Sequence, residues 1–140
     1  MCSLLKQYGP LLGRILLSVI FIIAGVSKIT GFAKTAAYMA SKGLPMVEVL
    51  LMLTIIIELG GGLMILLGWQ ARWAATAIFL FLIPVTLIFH PFWGFEGQEG
   101  MQQFHSFFKN LAIMGGMTYI MVFGSGPLSI GGDHCAKEDA

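Results

Sequence analysis

Four charged side chains interrupt segments of the chain that are otherwise almost entirely apolar: Arg14, Lys28, Glu58 and Lys109. An ionised group near the middle of a bilayer costs at least about 2.5–3.5 kcal/mol, so such a residue generally faces a polar interior, has a partner and marks a functional site. Glu58 is the deepest of the four, since it follows Val47 by roughly 16 Å of helix. A carboxyl group at that depth can donate or relay a proton.

Helical spacing places these charges on stripes that also contain small residues. At 100° per residue, Arg14, Ser18, Phe21, Gly25 and Lys28 share one face of the first apolar segment. The other two stripes are Leu51, Thr54, Glu58, Gly61, Gly62 and Ile65 in the second segment, and His105, Lys109, Ala112 and Gly116 in the fourth. Small residues let helices approach closely in lipid, so we expect the three stripes to face one shared polar interior.

The depth of each charge suggests its partner. Long side chains can bridge the offset between Arg14 and Glu58, so an Arg14–Glu58 ion pair is predicted. The remaining ionisable residues, expected to gather near the outer mouth, are Lys28, Glu48, His90, His105 and Lys109. An alternative remains open, because buried ion pairs can also serve only to fix the register of packed helices.

The elements that carry these residues are predicted to be four membrane-spanning helices. The 140 residues are 57% hydrophobic and 11% charged, with a net charge of +1. These values exclude intrinsic disorder and a basic nucleic-acid-binding surface, and they leave too few polar groups to cover a soluble domain. The apolar segments at about 11–29, 47–67, 73–89 and 104–123 each match a ~30 Å hydrocarbon core, where the backbone must be helical. We therefore predict one all-α transmembrane domain, a four-helix bundle with a polar tail at 126–140.

The segment between the first two spans is predicted to form a short interfacial helix. Its apolar residues at helical spacing are Phe32, Ala36, Met39 and Ala40, and they lie opposite Lys34 and Lys42. Pro10 and Pro45 are expected to stand just before the first and second helices, where a missing N–H is harmless. The distribution of Lys and Arg slightly favours cytoplasmic N and C termini.

Short motifs follow one another in a fixed order over about residues 11–125. They are Gly13-Arg14, FIIAGVSK at 21–28, GLP at 43–45, ELGGG at 58–62 with Leu67-Gly68, FHPFW at 89–93 and FKNLAIMGG at 108–116. In this order and spacing the chain resembles the DoxX family. The resemblance implies a small multi-pass protein of the bacterial inner membrane. The positions that match the polar residues of the family motifs are Arg14, Lys28, Glu58, His90, Lys109 and Asn110.

Some DoxX members are linked to thiosulfate:quinone oxidoreductase, and others to membrane complexes that protect against oxidative stress. The resemblance therefore implies a quinone-linked subunit of a membrane oxidoreductase, related to sulfur compounds or to oxidative stress. Glu58 and Arg14 are the predicted catalytic pair, in which Glu58 relays a proton and Arg14 tunes its charge. The predicted ligand-binding residues are Lys28, His90, Trp93, Lys109 and Asn110.

The expected ligand is a quinone, with no covalently bound cofactor and no metal site. The expected partners are the lipid bilayer, a soluble or membrane redox subunit and a second copy of the chain, but no nucleic acid. Two other functions remain open. One is a non-catalytic membrane assembly or anchoring protein, whose interior charges only hold the bundle. The other is a small-solute carrier, which with four spans would have to dimerise.

Overall fold

The structure, a computed structural model, describes residues 1–131, and these residues form five α-helices and no β-strand. The helices are α1 (Cys2–Thr30), α2 (Phe32–Ser41), α3 (Val47–Leu67), α4 (Ala71–Phe89) and α5 (Gly97–Phe123). A π-helical turn at Ile56–Gly60 interrupts α3, and a 3-10 turn at Phe92–Gly94 follows α4. Four of the helices, all but α2, are long and apolar enough to cross a membrane. The predicted all-α fold with four spans is confirmed.

Two helices begin earlier than the apolar segments suggest. α1 begins at Cys2, so that Pro10 lies inside the helix rather than before it. The first eight residues are exposed, so the carbonyl group that Pro10 leaves without a partner can be solvated. α5 begins at Gly97, and its first turns are rich in Gln and Glu, which are good helix formers. Apolar composition marks where lipid surrounds a helix, and the helix itself continues beyond that point.

α3 is the central helix of the bundle, in contact with α1, α2 and α4, whereas α5 packs on α4. Two of its three consecutive glycines allow the close approach: Gly61 faces Ile78 of α4, and Gly62 faces Phe21 and Ile22 of α1. The apolar core between these helices consists of Phe21, Ile65, Ala71, Ala74, Ala75, Ile78, Leu82, Met117 and Ile120. The bundle is therefore held by small and medium-sized apolar residues, and α3 sets the positions of α1 and α4.

The predicted short helix between the first two spans is present as α2, and it packs against the first half of α3. Ala36 and Met39 are buried against Leu51, as the apolar pattern predicts, whereas Ala40 is exposed. The Tyr38 ring lies 5.7 Å from that of Phe89 at the end of α4. α2 thus covers the end of the bundle that contains Lys28, which we call the Lys28 end.

The opposite end of the bundle contains Arg14, and we call it the Arg14 end. The segment that follows α5 reaches this end, where the Ile130 N–H donates a hydrogen bond to the Leu67 carbonyl group. Most of the predicted tail at 126–140, including Cys135, lies outside the described residues.

Candidate functional site

Lys28 and Glu58 form an ion pair inside the bundle. The Lys28 Nζ lies 2.8 Å from Glu58 Oε2 and donates a 3.2 Å hydrogen bond to Oε1. Glu58 is only 7% exposed. Oε2 touches the ammonium group but accepts no directed hydrogen bond from the described part of the chain. Oε2 is itself buried, and the Lys28 ammonium group balances its charge inside the bundle.

The predicted Arg14–Glu58 pair does not form, because α1 and α3 are offset along their axes. Gly25 lies against Leu59, which places Glu58 level with the last turns of α1 rather than with its middle. Lys28, one turn after Gly25, is then the cation within reach. Glu58 also lies in the π-helical turn, a deviation from α-helical geometry that is frequent at functional sites.

A cleft of about 450 Å³ opens beside this ion pair. Its walls come from α1, α2, α3 and α4, together with His90, and no residue of α5 lines it. The polar residues around it are Ser27, Lys28, Thr35, Tyr38, Thr54, Glu58 and His90, and the apolar ones are Ala24, Met39, Phe81, Val85 and Phe89. The volume is typical of a small-molecule site, and most of the exposed surface of the cleft is apolar although seven of its twelve lining residues carry polar groups.

His90 borders the cleft, and hydrogen bonds to residues outside the cleft hold its ring and its backbone. Its Nδ1–H donates a 2.8 Å hydrogen bond to Gln103 Oε1 on α5. Its backbone N–H donates to the Thr86 carbonyl group, and its own carbonyl group accepts from the Phe92 N–H. The sequence does not single out Gln103, because it lies in the polar stretch before Phe104, where no apolar pattern predicts a helix. The structure thus brings three predicted residues, Lys28, Glu58 and His90, to one cleft.

Comparison with known proteins identifies the family. The DoxX family model matches residues 9–91, which is more than half of the chain and includes Lys28, Glu58 and His90. The chain belongs to the DoxX family. It is 39% identical over 126 residues to the inner membrane protein YqjF of Escherichia coli (strain K12), covering 90% of this chain and 92% of that one. It is 31% identical over 120 residues to the inner membrane protein YphA of the same organism, covering 86% of each chain.

No solved structure matches the chain. The two relatives and the four long apolar helices together support a multi-pass inner-membrane protein. The family match covers α1 to α4, which are the four helices that line the cleft, and ends just after His90. The walls of the cleft therefore lie almost entirely in the part of the chain that defines membership of the family.

Arg14 of this DoxX protein lies at the other end of the bundle and binds backbone carbonyl groups. Its Nη1 donates to the carbonyl oxygens of Ile65 (3.5 Å) and Leu66 (3.2 Å), and its Nη2 donates to that of Leu128 (2.7 Å). A cation at the C-terminal end of α3 interacts favourably with the helix dipole and satisfies the Leu66 carbonyl group, whereas that of Ile65 also accepts a 3.1 Å hydrogen bond from the Gly68 N–H. Arg14 is 2% exposed and does not line the Lys28–Glu58 cleft. The structure therefore separates the two residues of the predicted catalytic pair.

Asn110 and Trp93 lie near the Lys28 end of this DoxX protein but do not line the cleft. Asn110 is buried, and its Nδ2 donates a 3.0 Å hydrogen bond to Thr86 Oγ1, which joins α5 to α4. Trp93 is 63% exposed and packs beside Phe92 and Phe107, an arrangement typical of an aromatic belt at a membrane interface.

Of the stripe predicted on α5, Gly116 lies against Leu17 of α1, but the other three residues do not face the interior of the bundle. Lys109, His105 and Ala112 are exposed, whereas the buried residues of α5 are Asn110, Met117 and Ile120. Within residues 1–131, no group of three or more His, Cys, Asp or Glu side chains is placed to hold a metal ion. The Lys28–Glu58 cleft is therefore the candidate site.

Proposed function

We propose that this DoxX protein binds a quinone in the Lys28–Glu58 cleft, as the membrane subunit of an oxidoreductase. The observation that carries the proposal is a buried ion pair in the wall of a cleft of about 450 Å³ whose remaining surface is largely apolar. A quinone has a flat ring with two polar oxygens and an apolar tail, so it needs a few fixed polar groups in an apolar cleft. Lys28 provides a donor for a ring oxygen, and Phe81 and Phe89 provide apolar contact.

Access from the bilayer also supports a lipid-soluble ligand. No residue of α5 lines the cleft, so the fourth spanning helix does not close it. α2 covers the end of the cleft through Tyr38 and Met39. A ligand that arrives through the acyl chains would therefore enter sideways, with its tail left in lipid.

The proposal assigns proton exchange to this chain and electron transfer to a partner subunit. Reduction of a quinone to its quinol takes up two electrons and two protons. Glu58, Lys28 and His90 are groups that exchange protons beside the ligand, and Lys28 takes the role predicted for Arg14. The family resemblance offers two settings, the oxidation of sulfur compounds and protection from oxidative stress. With cytoplasmic termini, as the loop charges favour, the cleft would lie toward the outer face of the membrane.

Binding of decyl-ubiquinone and of a short-chain menaquinone to the purified protein in nanodiscs tests the proposal. We expect Lys28→Met to weaken binding roughly tenfold or more, because it removes the donor for a ring oxygen. Glu58→Gln should also weaken binding, because the Lys28 ammonium group loses the carboxylate that positions it. Lys109→Met is the matched control, since Lys109 is exposed on α5 and lies outside the cleft. Circular dichroism establishes that each variant is folded. Unchanged affinity in both folded cleft variants would contradict the proposal.

A second function, that of a non-catalytic assembly or anchoring protein, is favoured by a different observation. Buried polar side chains have partners within the protein: Glu58 pairs with Lys28 and Asn110 with Thr86, and Arg14 and Ser18 donate to backbone carbonyl groups. In this case the ion pair only fixes α1 against α3, and the cleft is a consequence of the packing. The double variant described in the Discussion distinguishes the two functions.

A further inference from the structure

Most of the hydrogen-bonding groups that border the cleft are acceptors. Thr35 Oγ1 donates its hydrogen to the Gly31 carbonyl group (3.0 Å), and Thr54 Oγ1 donates to that of Leu50 (2.9 Å). A hydroxyl group whose hydrogen is already donated can only accept a hydrogen bond from a ligand. An ionised Glu58, which lines the cleft, is also an acceptor and cannot donate.

His90 is also an acceptor toward the cleft, because its other ring nitrogen is hydrogen-bonded to Gln103. Neutral imidazole carries one N–H, so a ring that donates from Nδ1 to Gln103 Oε1 has no hydrogen on Nε2. Gln103 belongs to α5, which does not line the cleft, so it acts on a ligand only through His90. It is a positioning residue that makes Nε2 an acceptor and holds the ring at the edge of the cleft.

The donors are fewer. Lys28 Nζ contacts both carboxylate oxygens of Glu58, and its ammonium group can still donate a hydrogen bond to an oxygen of a ligand. Tyr38 and Ser27 have hydroxyl groups that can either donate or accept. Neither kind of group discriminates between a carbonyl and a hydroxyl oxygen on the ligand. The acceptors do discriminate, because a buried acceptor that faces a carbonyl oxygen is left without a hydrogen bond.

We infer that the cleft selects the quinol form of its ligand over the quinone, and that Gln103 contributes to this selectivity by holding His90 as an acceptor. A quinone ring offers only acceptors, whereas a quinol offers two O–H donors. The groups that match those donors are Glu58, Thr54, Thr35 and His90. The inference rests on the proposed function, because it requires that a molecule of the quinone class binds in this cleft.

Equilibrium binding of decyl-ubiquinone and of its chemically reduced quinol to the protein in nanodiscs, under anaerobic conditions, tests the inference. At a pH of about 8, above the range in which histidine ordinarily takes up a proton, we expect the quinol to bind roughly tenfold more tightly. Gln103→Leu should reduce this ratio, because His90 loses the acceptor that fixes its proton on Nδ1. Gln102→Leu is the control, since Gln102 is the neighbouring residue on α5 and is exposed.

Nitrogen-15 spectra of the histidine rings give a reading that does not depend on binding. We expect His90, assigned from a His90→Asn variant, to carry its proton on Nδ1 in the wild type and to lose this preference in Gln103→Leu. A proton on Nε2 in the wild type, or equal or tighter binding of the quinone, would overturn the inference while leaving the proposed function intact. Binding of neither form would overturn the proposed function itself. If Gln103→Leu fails to fold, the wild-type affinity ratio and spectrum still decide the question.

Discussion

Gly25 of α1 lies directly against Leu59 of α3. A Cβ atom on Gly25 would come within 2.9 Å of the Leu59 Cβ and 3.2 Å of its backbone nitrogen. Glu58 immediately precedes Leu59, and Lys28 follows Gly25 by one turn, so this contact brings the two charges together. Helices in lipid approach most closely at small residues. The contact therefore sets the geometry of the ion pair that borders the cleft.

Replacing this glycine should separate α1 from α3. We expect Gly25→Ala to lower the free energy of unfolding by about 1–3 kcal/mol, because the added methyl group meets backbone as well as side-chain atoms. It should also weaken binding of decyl-ubiquinone, since Lys28 moves away from Glu58. Denaturant unfolding in detergent measures the first effect. Gly13→Ala, on the same helix with nothing within 4 Å of its Cβ position, should be close to neutral. Equal stability of the two variants would show that the helices are not in close contact at Gly25.

A double-mutant cycle on the ion pair separates the two proposed functions. Glu58→Gln and Lys28→Met should each lower the free energy of unfolding, at the lower end of the usual 3–5 kcal/mol for breaking a buried pair (about 3 kcal/mol), because Lys28 keeps 26% of its side-chain surface exposed. The double variant should lose less than the sum of the two, since no charge is left unpaired. Unfolding of the four forms in detergent gives the coupling energy.

The stable double variant is then tested for binding of decyl-ubiquinone. Loss of binding with retained stability is the result expected for a quinone site. Retained binding would exclude a role for the pair in the site and would favour the anchoring function. Additive losses of stability would contradict the ion pair itself.

Arg14 should matter for stability but not for the cleft. Arg14→Lys replaces a forked group that reaches three carbonyl oxygens with a single ammonium group, and hydrogen bonds to charged groups are worth about 1.5–3 kcal/mol each. We expect a lower melting temperature with unchanged affinity for decyl-ubiquinone, because the cleft lies at the Lys28 end. Lys6→Gln, in the exposed first turns of α1, is the control. Loss of decyl-ubiquinone binding at an unchanged melting temperature would instead support the catalytic role that the sequence predicts for Arg14.

The sequence predicts the spanning helices because segment length and apolar composition are set by the bilayer, whatever the packing. It also predicts three residues of the cleft, since an ionisable group such as Glu58 is too costly to retain in lipid without a site or a partner. It does not predict the partner of Glu58, because an estimate of the depth of each charge from the ends of α1 and α3 assumes that these ends are level. The contact of Gly25 with Leu59 shows that they are offset.

The inward face of α5 is displaced by one residue from the predicted stripe, and the cost of burial explains why. Asn110 can be satisfied inside the bundle by a neutral partner, Thr86, whereas the ammonium group of Lys109 would need a counter-charge there. Gln103 could not be predicted for another reason, because its role depends on a partner that only the three-dimensional structure brings near. Apolar periodicity carries no signal for such a contact between a loop residue and a polar helical turn.

The π-helical turn at Ile56–Gly60 constrains the length of α3 as well as its composition. Its hydrogen bonds enclose one residue more than those of an ordinary turn. Deleting a single residue there would restore a regular helix. Glu58 lies within this turn, so its side chain would lose the local geometry that presents it to Lys28, although the rest of the sequence would be unchanged. Insertions and deletions should therefore be tolerated in the connection at 42–46 far better than in the middle of α3.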